Sequence, residues 1–189
     1  SLAADGEGGA TATAAPTGGG ATGGKVGIGV SAAINIIANR SIAEIANGAT
    51  LVGLNTAANP ATVAAIGDLS LSASGDFETT ADATAGSAGG VSVTPALGLN
   101  MVSNSTTARL GTDSSGSPIW AHSVNISATQ EVTTTTKASA EANGGTAAIG
   151  VSLALALVDD EVLATTDRSI TSVGAVTFTA MGKSEGELE

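Results

Sequence analysis

Val26-Gly27-Ile28-Gly29-Val30-Ser31-Ala32-Ala33-Ile34-Asn35-Ile36-Ile37 alternates large aliphatic residues with small ones. Side chains that change face at every residue belong to an extended chain, so the stretch reads as a β-strand. Its alanines alone would support a helix, but the two interior glycines and the β-branched content oppose one. Burying each large side chain is worth roughly 1.5–3 kcal/mol, so the face carrying Ile28, Val30, Ile34 and Ile36 is expected inside. The small face is expected to permit unusually close approach of a second layer.

The pattern recurs twice. Sixty-five residues on stands Val91-Ser92-Val93-Thr94-Pro95-Ala96-Leu97-Gly98-Leu99-Asn100-Met101-Val102, and 56 further on Ala147-Ala148-Ile149-Gly150-Val151-Ser152-Leu153-Ala154-Leu155-Ala156-Leu157-Val158. Large residues coincide, as in Ile28, Val93 and Ile149 or Ile36, Met101 and Leu157. The same shifts align Asn39 with Asn104 and Asp160, then a second short strand containing Glu44, Arg109 and Thr165. After connections of unequal length, which mark surface loops, a third alternating segment recurs as Leu69-Ser70-Leu71-Ser72-Ala73, Val124-Asn125-Ile126-Ser127-Ala128 and Val176-Thr177-Phe178-Thr179-Ala180. A fourth, richer in Thr and Glu, occupies 77–83 and 132–138.

These copies divide the chain into 1–23, the Gly/Ala/Thr-rich end of a preceding repeat or a donor segment, then repeats at 24–88, 89–144 and 145–189, the last truncated. The chain is therefore read as a slice of a longer tandem array. A repeat of about 55–65 residues that cannot bury its own face must be covered by its neighbours, which is the logic of a stack. The expected fold is all-β: an elongated β-solenoid, parallel β-helix-like, built from three tandem repeats that each supply two or three rungs. Stacked antiparallel β-sheets are the alternative.

Composition narrows the chemistry. Six Lys and Arg stand against 17 Asp and Glu, and the net charge of −11 repels nucleic-acid phosphates. With no Cys, disulfides, thiolate nucleophiles and Cys-ligated metals are excluded. Phe, Trp and Tyr number three in all, so an aromatic-anchored core is excluded and so are the aromatic girdles of a transmembrane barrel. No apolar run approaches the roughly 18 residues of a membrane-spanning helix, and the chain is read as not membrane-spanning.

Few residues qualify as a site. Trp120 and His122 follow the loop 113–118 and suit a partner-contact patch, although a loop capping a hydrophobic edge is the plainer reading. Asp159, Asp160 and Glu161 form a carboxylate cluster of the kind that holds Ca2+, placed at the expected turn after the first strand of the third copy. Neither a calcium-binding nonapeptide nor an EF-hand loop is present, and Asn or Asp in a turn commonly serves local hydrogen bonds. A Ser-His-Asp hydrolase would need an oriented base and a nucleophile elbow, and no Gly-x-Ser-x-Gly occurs. No catalytic or cofactor-binding residue is expected.

The blocks Gly27-Ile28-Gly29-Val30-Ser31-Ala32-Ala33-Ile34-Asn35 and Gly67-Asp68-Leu69-Ser70-Leu71-Ser72-Ala73 resemble repeats of giant bacterial cell-surface proteins of the filamentous-haemagglutinin and filamentous-adhesin type. In the second block only the first copy keeps Gly-Asp; the counterparts are His122-Ser123 and Gly174-Ala175. The resemblance implies an extracellular, non-enzymatic stalk or adhesive fibre at the bacterial surface. Its partners would be neighbouring repeats, identical chains end to end, and a host-surface or matrix ligand. The alternative expectation is a self-assembling filament subunit whose N-terminal segment donates a strand to the next molecule.

Overall fold

The computed structural model describes residues 1–16, 20–49, 51, 67–113 and 118–189. All regular structure among them is strand: β1 (Leu2–Ala14), β2 (Ala21–Thr22), β3 (Val26–Ile28), β4 (Ser31–Ile45), β5 (Leu69–Leu110), β6 (Ile119–Ala121), β7 (Val124–Thr166), β8 (Ile170–Ser172) and β9 (Val176–Leu188). Every pairing among the described residues is parallel, and none is antiparallel. β1, β2, β3 and β4 lie along β5, β5 along β7, β7 along β9, and β6 along β8.

The register brings like residues side by side. Ile28 lies beside Val93 and Val93 beside Ile149; Ile36 lies beside Met101 and Met101 beside Leu157. Parallel neighbours cannot be joined by a tight turn, so the chain must travel a full circuit between them. Here the circuit is itself strand. The chain runs out along residues 2–14, 69–87 and 124–142, reverses at a glycine-rich tip, and runs back along residues 26–45, 91–110 and 147–166. Each repeat therefore contributes one long pass, rather than the two or three short rungs expected from sequence. β5 and β7 continue through the positions 88/89 and 144/145 at which the repeats were divided. The whole is a large all-β, parallel arrangement consistent with a solenoid-like fold.

The tip explains the glycines. Gly20 has φ of 103°, a left-handed conformation that glycine adopts without strain. In the second pass the register slips between Gly89 and Val91. Hydroxyls pin the reversal: Ser92 Oγ donates to the Ser87 carbonyl at 2.9 Å, and Ser87 Oγ lies 2.5 Å from Ser92 Oγ and 2.6 Å from Thr94 Oγ1.

Outgoing and returning strands lie face to face at short range. Ser31 Oγ donates to the Ala14 carbonyl at 2.8 Å, and a Cβ added to Gly6 would come within 2.8 Å of Ser41 Cβ. One added to Gly75 would come within 2.5 Å of Thr106 Oγ1. The space that Gly75 leaves open takes the buried Phe77 ring, whose Cε2 and Cζ lie 2.7 Å from that added Cβ. Near the tip the interior is alanine: Ala33, Ala81 and Ala83, then Ala85, Ala96 and Ala138. Toward the other end the gap widens into an aliphatic core of Leu69, Leu71, Leu110, Ile119, Val124 and Ile126.

The orientation of the 26–36 strand overturns the sequence expectation. Its small face points inward and its large face outward: Ile28 is 61%, Val30 72% and Ile36 76% exposed. Further along, Phe77, Val102 and Val132 are buried between the sheets, but along 26–36 the opposing backbone comes too close to admit Val, Ile or Leu: a Cβ added to Gly29 would run into the Gly86 carbonyl oxygen. Asparagine fills that space instead, with its polar atoms satisfied. Asn35 Nδ2 donates to the Thr80 carbonyl at 2.6 Å and to Asn100 Oδ1 at 3.0 Å. Asn100 Nδ2 donates to the Thr135 carbonyl at 2.8 Å and to Thr136 Oγ1 at 2.7 Å.

Candidate interaction surface

Because the inward face of residues 26–36, 91–101 and 147–157 is small, the alternation puts every large residue of these stretches on the outside. At the outward positions of 26–36, 91–101 and 147–157 stand only Ala, Val, Ile, Leu, Met and Pro, and the three stretches contain no charged residue. They form one apolar strip three strands wide. Ile149, Val151 and Leu153 on the third strand are each more than half exposed. A shallow groove crosses the strands where the strip meets the polar half of the sheet, lined by Ile36, Met101, Ser103, Leu157, Val158 and Asp159.

The outgoing sheet presents the opposite character. Its outward positions are hydroxyl and acidic, with Ser70, Ser72, Asp76, Glu78, Thr133 and Thr135 among them. The few cations on this face are paired. Lys183 Nζ donates to Glu131 at 2.6 Å and to Glu185 at 3.1 Å, contacts that raise its pKa. The molecule is thus a two-faced slab, one broad side apolar over its tip half and the other side acidic.

At the corner away from the tip, three passes are stitched together. Arg109 of the second pass binds Glu44 of the first and, at 2.6 Å, Asp167 of the third; these contacts, Asp167 foremost, raise its pKa. Arg168, almost fully buried, donates through Nε to the Gly111 carbonyl and through Nη2 to that of Ala49, each at 2.9 Å. The change from Glu44 to Arg109 at aligned positions is the sequence signal of this stitch.

The expected partner-contact residues sit at the same corner. Trp120 is half-buried in β6 beside Thr171 of β8. His122 Nδ1 lies 3.0 Å from Asp68 Oδ1, and Ser123 Oγ donates to the same oxygen at 2.5 Å. The Ser123 hydroxyl, then His122, hold the Asp68 carboxyl below the ordinary carboxylate range. Serine, histidine and aspartate meet here, but the serine engages the carboxylate instead of the imidazole, which is not the relay order of a Ser-His-Asp triad. The cluster clasps one pass to the next at the positions the sequence aligns, Gly67-Asp68 over His122-Ser123.

Asp159, Asp160 and Glu161 lie within β7, not at a turn. Asp160 Oδ1 accepts from Asn104 Nδ2 at 2.8 Å, and Asn39 Nδ2 donates to Asn104 Oδ1 at 2.9 Å, so the aligned trio forms an inward ladder. Asp159 and Glu161 fall on the other face by alternation, which separates the carboxylates proposed as a Ca2+ site. Among the described residues no group of three or more His, Asp or Glu gathers as metal ligands do. Compared with protein-family models, with curated proteins and with solved structures, the chain finds no match.

Proposed function

We propose that this chain is a structural and adhesive segment of a long extracellular β-solenoid at the bacterial surface, made of tandem repeats that act as stalk and multivalent display scaffold. The observation that carries the reading is the in-register parallel stacking of successive passes. Like residues repeat across the stack, and a stack built this way has no intrinsic stop. The first pass has a strand neighbour only in β5, and residues 147–166 of β7 pair only with β5 among the described residues, so the stack presents open ladder edges. Unpaired edges are where further passes, or further chains, would join.

End-to-end association of identical chains is the second reading, and the open edges favour it. Leu2–Ala14 is already paired along β5, so donating that strand to another molecule would first cost its own ladder.

Small-angle scattering with light scattering tests the architecture behind the role. Each pass runs about 20 residues from corner to tip, about 65 Å, while four stacked strands span only about 19 Å. A dilute single chain is therefore expected to be a slab with a radius of gyration of about 20 Å, against about 16 Å for a compact domain of this length. Mass that grows with concentration along the stack direction would favour the filament reading. A compact value would overturn both.

A further inference from the structure

We propose that a second copy of this chain covers the apolar strip, the two returning sheets packing face to face. On the first two strands the inner side of the strip's sheet is already filled, and no described residue lies over the strip's outer side, so its cover must come from outside the described residues. Strand rise and spacing give it a footprint of about 36 Å by about 14 Å, about 500 Å2 on each copy and about 1,000 Å2 for two, where specific interfaces begin. Each further pass in a longer array would add about 170 Å2 per copy, so pairing would tighten with length.

Charge selects the partner. The chain carries −11 in total, and acidic residues such as Asp76, Glu78 and Glu131 line the opposite face. Two copies approaching by that face would repel each other, whereas the strip is uncharged over all three strands and brings apolar against apolar. The same acidity disfavours an anionic lipid surface. A flat sheet face of alternating Val, Ile and Leu is the surface that packs against its like in aligned sheet sandwiches.

Sedimentation equilibrium over a wide concentration range tests this on the whole chain and on Leu97→Glu, which lies mid-strip between Ala32 and Leu153. The wild type is expected to rise to twice the single-chain mass, and the variant to need at least about tenfold more protein to do so. A wild type that stays single overturns the proposal. So does association that the variant leaves intact, which would put the contact at the ladder edges. So does flotation of a single-chain wild type with phosphatidylcholine vesicles that the variant loses.

Because the chain has no cysteine, a bis-maleimide provides a second readout should Leu97→Glu fail to fold. Leu97→Cys is expected to give a covalent dimer while Glu78→Cys, on the acidic face, gives none. Equal cross-linking of both, or of neither, overturns the proposal. Either result is independent of the stalk reading, which a slab-shaped single chain would still support.

Discussion

Asn100 is fully buried where the two sheets meet, and both its amide N–H groups and its carbonyl oxygen are hydrogen-bonded within the stack. Asparagine in a strand interior is poorly favoured by propensity, yet here it hydrogen-bonds to the passes on either side, Asn35 and Thr135. Asn100→Ala would leave Asn35 and Thr136 each short of a partner in a site without water access. The expected loss is about 1–3 kcal/mol, read as a lower urea midpoint at unchanged slope. Asp68 makes the opposite kind of statement, since it is exposed and its contribution is small. Its folded pKa lies below the unfolded one, so the stabilisation is present above the ordinary carboxylate range and disappears as pH falls through the folded value. Thermal melts of Asp68→Asn are expected to converge with the wild type at strongly acidic pH and to fall below it at neutral pH; a constant offset at all pH values would deny the clasp. The ladder of Asn39, Asn104 and Asp160 was legible as an alignment. Its inward orientation was not, because an Asx residue near a strand end reads equally as a turn.

The returning strands show what alternation can and cannot tell. That residues 26–36, 91–101 and 147–157 are strands, and which residues stand beside which, followed from the shifts of 65 and 56 because the apolar pattern survives them. Which face goes inside did not follow. A two-residue period defines two faces and leaves open the distance to the next layer, and that layer is supplied by residues about 20 positions away across the tip. The glycines and alanines of the small face were the available signal: a sheet with no side chains to fill an ordinary gap of about 10 Å must sit against something much closer. Gly98→Val isolates the point. Valine is the better strand former, but an inward Cβ at this position would press on the Lys137 backbone. A loss of about 1–3 kcal/mol is expected, while Ser103→Val on the outward face of the same strand stays near neutral. A loss at Ser103→Val with Gly98→Val neutral would mean that the faces are assigned the wrong way round.

At the scale of the whole molecule, the long dimension lies across the stack and not along it. A few passes make a wide, shallow slab, and only a longer array would become a rod along the stacking axis. The main aliphatic core lies at the corner around Leu71, Leu110 and Ile126, and the remainder is held by the isolated buried side chains of Phe77, Val102 and Val132 with alanine contacts, hydroxyl pins and asparagine ladders. Each is too small to hold two sheets alone, so the stack depends on register being kept from one pass to the next. Register is also what the stalk reading, the open edges and the apolar strip all require. Pyrene-labelled double variants of the cysteine-free chain test it most directly. Glu78 and Thr133 are paired neighbours on the outward acidic face, about 4.8 Å apart, whereas Asn125 is paired with Ser70, eight residues from Glu78 and so about 26 Å away along the strand. The account predicts strong excimer emission from Glu78→Cys/Thr133→Cys and none from Glu78→Cys/Asn125→Cys in dilute protein. Excimer absent from the first variant, or equal in the two, would contradict parallel stacking in this register.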